Sequence, residues 1–313
     1  MVVGSGKGMH LVPKSQISGF VSVYRVASEG SKLELLQKTE IEGVPYATCA
    51  FQGKLLVGMG QTLRLYELGK KKLLRKCETK VFPFNIVKIE TQGDRIIVSD
   101  AKESVLFCQY RHYDNQIVIF ADDFVSRWMT CSMMLDYDTV VGGDKFGNIF
   151  INRLAAETSL SMDDDTTGSL ALYERGYLNG APYKLLHMVD FHIGEPISSI
   201  QRVSLVPGGR EVILYTTFFG AIGILVPFTN KEDIDFFQLL EMSMRQEAPP
   251  LCGQNHLTFR STYTPVTHCI DGDFCEMYNT LPNEKKRAMA EQLDRSTSEV
   301  AKKLEDIRNR VAF

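Results

Sequence analysis

The stretch "CSMMLDYDTVVGGDKFGNIFINRL", residues 131–154, carries the clearest fold signal of this 313-residue chain. It contains three short apolar segments, which are separated by a polar turn at "LDYD" (135–138) and by a second turn at "DKFG" (144–147). Short apolar and β-branched runs between turns of this kind are typical of antiparallel strands. The stretch therefore predicts a unit of strand, turn, strand, tight turn and strand.

The same unit recurs along the chain. Its middle segment "VVGGD" (140–144) overlays on "VVGSG" (2–6), "LVGMG" (56–60), "IVSDA" (97–101) and "LYTTF" (214–218), all of which are apolar and end in small residues. The central copies start at residues 56, 97 and 140, so they are 41 and 43 residues apart. This period, with about four strands per unit, is typical of β-propeller blades. The sequence therefore predicts a mainly β fold that contains a partial β-propeller of four to five blades.

The glycines of "VVGSGKG" (2–8) raise the question of a nucleotide-binding loop. A phosphate loop needs a glycine where Met1 stands and a Ser or Thr where Gly8 stands, and no helical period follows. Small residues at the inner strand ends of a propeller have a packing role instead, because the blades converge there. We interpret "GSG" as a strand end with its turn, and we expect no bound cofactor.

Composition and charge limit the function classes. A net charge of −3 and a pI near 6.1 argue against a protein that coats nucleic acid or anionic membrane through bulk charge. Apolar runs such as "AIGILVPF" (221–228) are shorter than the roughly 20 residues of a membrane helix, which predicts a soluble protein. Seven scattered cysteines and no signal peptide predict a reducing compartment.

Two groups of metal-ligating residue types occur late in the chain. The first contains Cys252, His256, His268, Cys269 and Cys275. Structural zinc sites usually show two tight ligand pairs, whereas only one pair here is close, so buried core thiols are favoured over zinc. The second group contains His187, Asp190, His192 and Glu195, and strand alternation places His187 on the apolar face with Asp190 and His192 on the outer face. We expect no metal site from either group.

The chain changes character after Phe228. The segment "TNKEDIDFFQLLEMSMRQEAPP" (229–250) begins with Thr229 and Glu232 at capping-box spacing and ends at two prolines. Ser296 and Glu299 form a second such pair before a helical stripe of Val300, Leu304, Ile307 and Val311, which would pack on the chain's own propeller or in a partner groove. The sequence predicts a propeller over residues 1–228 and a helical domain over residues 229–313. The acidic insertion 155–183 is predicted as a surface loop.

Several long motifs resemble one known family. They are "GKKKLLRKCE" (69–78), "IIVSDAKES" (96–104), "LDYDTVVGGDKFGNI" (135–149), "RGYLNGA" (175–181), "GAIGILVPF" (220–228), "PPLCGQNHLTFRS" (249–261), "CIDGD" (269–273) and "QLDRSTSEVAKKLEDIRNRVAF" (292–313). Together they look like the C-terminal part of the three-propeller large subunit of splicing factor 3b. That subunit belongs to the family of the damaged-DNA-binding and cleavage-polyadenylation large subunits. The match covers nearly all of this chain but only about the last quarter of such a protein, which implies a fragment or split form of a longer one.

The resemblance implies a non-enzymatic scaffold in the U2 snRNP, in the nucleus, that supports branch-site recognition in pre-mRNA splicing. The partners it implies are the HEAT-repeat subunit and the small helical subunit of splicing factor 3b. It also implies a grip on the small subunit near the junction of propeller and helices, which makes Phe236, Phe237 and Leu240 candidate partner contacts, with core packing as the alternative.

Two other function classes can be compared on the residues alone. An enzyme site would need titratable groups at the inner strand ends, but those ends contain Gly58, Met59, Ser99, Gly142, Gly143 and Thr216, so no catalysis is expected. A direct nucleic-acid-binding module is the alternative function. Its candidate phosphate contacts are Lys70, Lys71, Lys72, Arg75 and Lys76, although no aromatic residue is interleaved with them.

Overall fold

The computed structural model describes residues 1–10, 12–13, 15–27, 30–164, 180–247 and 253–312, with the side chains of the last segment described up to residue 309. The described chain contains nineteen strands and six α-helices. It divides into two compact units, one of residues 1–145 and 151–187 and the other of residues 146–150 and 188–313. The boundary at residue 228 that the sequence suggests stays a prediction.

Three sheets form most of the first unit. The first sheet has the order β1 (Val2–Lys7), β2 (Ser18–Ala27) and β3 (Lys32–Ile41). The second has the order β4 (Ala47–Phe51), β5 (Lys54–Met59), β6 (Thr62–Leu68) and β7 (Leu73–Thr79). The third contains β8 (Ile86–Gln92), β9 (Arg95–Asp100), β10 (Val105–Arg111) and β11 (Gln116–Asp122) in antiparallel order, with the short β15 (Tyr183–Lys184) added parallel to β11.

Two further sheets complete the β part of the chain. The fourth has the order β12 (Met129–Met134), β13 (Thr139–Asp144), β14 (Asn148–Arg153) and β16 (Leu186–His192). The fifth lies in the second unit, with the order β17 (Ile197–Ser204), β18 (Glu211–Thr217) and β19 (Ile222–Leu225). Five mainly antiparallel sheets, in which most strands pair with their neighbours in the chain, confirm the predicted mainly β, partial-propeller fold class.

A β-bulge at the same position marks three of the sheets as repeats of one unit. Near the start of β8, β12 and β17, one residue is left out of the pairing, between Ile86 and Lys88, between Met129 and Cys131, and between Ile197 and Ser199. The paired partners show that Asp100, Asp144 and Thr217 are equivalent. The overlay by apolar pattern is therefore wrong by one residue for β13, because the apolar and small residues of "TVVGGD" (139–144) fit the pattern in two registers and only the strand pairing distinguishes them.

The apolar cores of the first unit lie between consecutive sheets. One cluster joins the first and second sheets and includes Val21, Ile41, Val57 and Leu73, and a larger one joins the second and third sheets. Close packing also explains a strand-end glycine. A Cβ on Gly58 would lie 2.5 Å from Ile86 Cγ2, so this position needs glycine for steric reasons.

The predicted surface loop 155–183 contains a helix, α1 (Ala156–Asp164), so this part of the expectation is wrong. Arg95 holds the helix in place through Ser159 Oγ at 2.9 Å, and Gln109 Nε2 donates to the backbone oxygen of Met162 at 3.1 Å. Arg95 and Gln109 lie on strands that are far from α1 in sequence, so the composition of the acidic segment alone does not predict these contacts. Most of "MDDDTTGS" lies outside the described residues.

The second unit contains the predicted C-terminal helices. They are α2 (Lys231–Glu247), α3 (His256–Phe259), α4 (Gly272–Glu276), α5 (Asn283–Gln292) and α6 (Thr297–Ala312). In the described part of the chain, none of the helices has the length and apolar character needed to cross a bilayer.

The helix starts test the two predicted capping boxes. The one before α6 is confirmed, because Ser296 N donates to Glu299 Oε2 at 2.7 Å and Glu299 N donates to Ser296 Oγ at 3.3 Å. The one before α2 is wrong, because Asn230 Oδ1 accepts the Glu232 N–H at 3.1 Å. Thr229 instead accepts a hydrogen bond from Arg210 at 3.0 Å. The prolines predicted to end α2 lie outside the described residues.

Candidate functional site

The predicted phosphate-contact residues lie on the hairpin of β6 and β7. Lys70, Lys71, Lys72, Arg75 and Lys76 are all exposed. Arg75 Nη1 lies 2.9 Å from Glu78 Oε2, and Lys76 Nζ lies 2.8 Å from Glu67 Oε2, which raises the pKa of Lys76. The ion pairs of the described residues include Arg75 and Lys76 but not Lys70, Lys71 or Lys72. The basic charge outside these ion pairs therefore lies on the turn between β6 and β7.

The predicted partner contacts on α2 lie in the core of the helical unit. Phe236 is 6% exposed, Phe237 is 3% exposed and Leu240 is fully buried. The two rings pack edge to face with centroids 5.1 Å apart, in a cluster with residues of α4, α5 and α6 such as Cys275 and Leu304. This placement favours the core alternative of the sequence analysis. A partner contact through these side chains stays a prediction.

The residues of the first predicted metal group have other partners. His256 stacks on Phe274 with centroids 4.0 Å apart, and His268 Nδ1 lies 3.0 Å from the Met188 backbone oxygen. Burial raises the pKa of Cys269 to about 12 and also raises the pKa of Cys275, which disfavours the thiolate that zinc requires. Among the described residues, no group of three such side chains is placed to hold a metal ion, and Cys252 lies outside them.

A buried polar cluster joins α2 to the segment around α3 and α4. The Asp271 Oδ2 atom accepts from Arg260 Nε at 2.7 Å, and His256 Nε2 lies 3.1 Å from the same oxygen. The other oxygen of Asp271 caps α4 by accepting the Phe274 N–H at 3.1 Å. Glu241 accepts the Asp271 N–H at 3.1 Å, and burial raises the pKa of Glu241. These contacts link α2 to the segment that carries α3 and α4, so we assign the cluster a structural role.

The second predicted group also does not form a joint site. His187 contacts Arg127, His192 Nδ1 lies 2.9 Å from Asn148 Oδ1, and Glu195 accepts from the hydroxyl of Thr217. Asp190 is only 3% exposed, so the expectation that it lies on an outer polar face is wrong. Its backbone pairs with Thr267, which covers this part of β16.

The structure brings together a set of residues that the sequence analysis missed. Phe84, Lys102, Trp128 and Lys145 form a row of alternating aromatic and basic side chains, which we call the aromatic–lysine row. Lys102 Nζ lies 4.6 Å from the Phe84 ring centroid and 5.0 Å from that of Trp128, and Lys145 Nζ lies 3.2 Å from the Trp128 centroid. Both rings are 38% exposed. Their distances are those of cation–π contacts.

Backbone hydrogen bonds fix the four loops that carry this row. Asp100 accepts the N–H groups of Phe84 at 2.9 Å and Lys102 at 3.0 Å, which ties the loop before β8 to the turn after β9. Ser104 N donates to Arg127 O at 3.0 Å, and Lys145 N donates to Trp128 O at 3.0 Å. The four loops are therefore held together by the Asp100 carboxylate and by two main-chain hydrogen bonds. No sequence signal marks the row, because each residue lies on a different loop.

Comparisons with known proteins give a consistent result. The family model described as the CPSF A subunit region matches residues 1–280. The chain is 53% identical over 313 residues to splicing factor 3B subunit 3 of Danio rerio, a match of 100% of this chain and 26% of the relative. It is 51% identical over 312 residues to spliceosome-associated protein 130 A of Arabidopsis thaliana, with 99% and 26% covered. A probable splicing factor 3B subunit 3 of Dictyostelium discoideum is 53% identical over 309 residues, with 99% and 25% covered. The chain thus spans about a quarter of the length of these relatives.

Proposed function

This chain belongs to the family of the CPSF A subunit region, and from that premise we propose that it acts as part of a splicing factor 3b subunit. The observation that carries the proposal is identity of about one half, along the whole chain, to proteins named as splicing factor 3B subunit 3. We propose a nuclear, non-enzymatic scaffold of the U2 snRNP that supports branch-site recognition through contacts with other proteins.

The proposed partners are the HEAT-repeat subunit and the small helical subunit of splicing factor 3b. An assembly role is supported by the amount of exposed apolar surface on the β part. Val26, Leu33, Leu35 and Leu36 on β2 and β3 are each more than half exposed, as are Phe218, Phe219 and Ile222 around the turn from β18 to β19. Contiguous exposed apolar side chains commonly mark protein interfaces.

The strand-end residues support the non-enzymatic part of the proposal. Ser99 is 1% exposed and its hydroxyl lies 2.9 Å from that of Ser132, while Met59 is 7% exposed. A catalytic site would need a nucleophile, an acid or a base that substrate can reach. These buried side chains do not offer one.

The test is assembly in a nuclear extract. We expect the affinity-tagged chain to retrieve the HEAT-repeat and small subunits of splicing factor 3b, together with U2 snRNA. The matched control is a Leu33→Ser/Leu35→Ser double variant that reduces the exposed apolar surface while leaving the buried face of the first sheet intact. Retrieval of the cleavage-polyadenylation complex in place of these subunits, or of neither, would contradict the proposal.

A further inference from the structure

We propose that the aromatic–lysine row of Phe84, Lys102, Trp128 and Lys145 is a contact site for single-stranded RNA. This function is additional to the protein scaffold role, and the site is distinct from the basic turn of Lys70, Lys71 and Lys72. Single-stranded nucleic acid is bound by surfaces that combine aromatic rings, on which bases stack, with cations that pair with phosphates. The row has both elements in alternation, whereas the basic turn has only cations.

The row presents basic side chains to solvent, whereas the aspartates of the same loops are buried. Three aspartates lie directly beneath it, but Asp100 and Asp144 are fully buried and Asp123 is 2% exposed. The oxygens of Asp100 accept the N–H groups of Phe84, Lys102 and Glu103, so they point into the loop. Glu103 is the partly exposed acid of this turn, and its carboxylate accepts a hydrogen bond from Ser126 Oγ at 3.1 Å. Lys145 is exposed and Lys102 is partly exposed, so both side chains of the row can be reached from solvent.

The geometry favours RNA over an acidic protein segment. An acidic peptide would use the two ammonium groups and leave the exposed rings of Phe84 and Trp128 without a role. A nucleic acid strand uses both, because its phosphates pair with the lysines while its bases contact the rings. The Asp100 carboxylate and the two main-chain hydrogen bonds hold the four loops together before any ligand binds, which reduces the entropic cost of binding.

The chain supplies its own reporter for the test. Trp128 is the single tryptophan of the sequence, so intrinsic tryptophan fluorescence reports on this surface alone. The probe is an unstructured uridine dodecamer, which is added to the 313-residue chain at several salt concentrations. We expect quenching of Trp128 emission that saturates with RNA and a dissociation constant that rises with salt.

Variants separate the two elements of the site. Lys102→Gln/Lys145→Gln should weaken binding and reduce the slope of log K against log salt by about 1.4, since each phosphate contact on a single strand contributes about 0.7. Trp128→Leu, followed by anisotropy of a labelled dodecamer, should weaken binding about 5- to 150-fold with an unchanged salt slope, because stacking carries no charge. Circular dichroism at each step confirms that the variants are folded.

The matched control is Lys70→Gln/Lys71→Gln, which makes the same change in net charge at the basic turn. It should leave both the quenching and the salt slope unchanged. The proposal is overturned if this control weakens binding as much as the row variant, or if the dodecamer leaves Trp128 emission unchanged. Quenching by a glutamate-rich peptide but not by RNA would also overturn it and would assign the row to an acidic protein. None of these outcomes alters the retrieval of splicing factor 3b subunits, so failure here is distinguishable from failure of the scaffold proposal.

Discussion

Arg127 Nε lies 3.3 Å from Asp123 Oδ2, and neither side chain is exposed to solvent. The same aspartate oxygen accepts from Ser104 Oγ at 2.6 Å and from Asn152 Nδ2 at 2.8 Å. A buried charge that loses its partner is costly, because the desolvation is no longer offset by attraction. The pair therefore holds the loop before β12 in place, and with it the Arg127 carbonyl that anchors Ser104.

Replacement of Arg127 by leucine should destabilise the chain by about 3–5 kcal/mol, because it leaves Asp123 buried and unpaired. The double variant Arg127→Leu/Asp123→Leu should lose less than this, since it removes both charges. The control is Arg308→Leu, which breaks a pair with Glu276 in which the side chains are 64% and 45% exposed, and it should cost about 0–1 kcal/mol. Urea unfolding measures all three. Equal effects of Arg127→Leu and Arg308→Leu would contradict the buried-pair account.

Gly58 tests the steric reason for small residues at strand ends. Gly58→Ala should cost about 1–3 kcal/mol, because the added Cβ would lie 2.5 Å from Ile86 Cγ2 in a packed core. Gly272→Ala is the control, because a Cβ there meets no atom within 4 Å. Thermal unfolding of both variants is the measurement. A Gly58→Ala variant as stable as the control would show that the core relaxes and that the packing argument is wrong.

The repeat was predictable because most strands pair with their neighbours in the chain, so the signal is local. What the pattern could not supply was contact between distant residues. The register of β13 is set by its pairing with β12, and α1 depends on Arg95, which lies 64 residues before Ser159. The start of α2 was displaced by one residue because Thr229 and Asn230 are both capping types. The sequence could not choose between them without knowing that Thr229 bonds to Arg210.

The candidate sites show the same limit. The lysines of the basic turn are adjacent in sequence, so the sequence alone identifies them. The aromatic–lysine row spans residues 84 to 145 on four loops, so its alternation exists only in the folded chain. For α2, the helical apolar stripe predicts that Phe236 and Phe237 are buried. The stripe alone does not show whether the surface that covers them belongs to the same chain or to a partner.

Phe236 and Phe237 can be assigned by comparing stability with assembly. If both rings are core residues, Phe236→Ala and Phe237→Ala should each cost about 3–5 kcal/mol. Leu239→Ala on the exposed side of α2 is the control and should change stability little, because Leu239 is 49% exposed. Thermal unfolding and co-purification of splicing factor 3b subunits are measured for each variant. An intact fold with lost co-purification would assign the rings to a partner instead.

We expect Glu241 to make the helical unit less stable as pH rises above 4.5, which is the ordinary pKa of a glutamate side chain. Burial raises its pKa from the ordinary value of 4.5, so between that value and the raised one the folded chain binds more protons than the unfolded chain. In that window the free energy of unfolding falls as pH increases.

Glu241→Gln removes the charge but keeps an oxygen that can accept the Asp271 N–H, so the variant should lack this part of the decline. Melting temperatures of both proteins at steps from pH 4 to pH 8 give the difference curve, in which contributions of other groups cancel. If the variant and the parent fall in parallel across this range, then Glu241 stays ionised in the folded chain, and its contacts with Arg245 and Arg260 outweigh its burial.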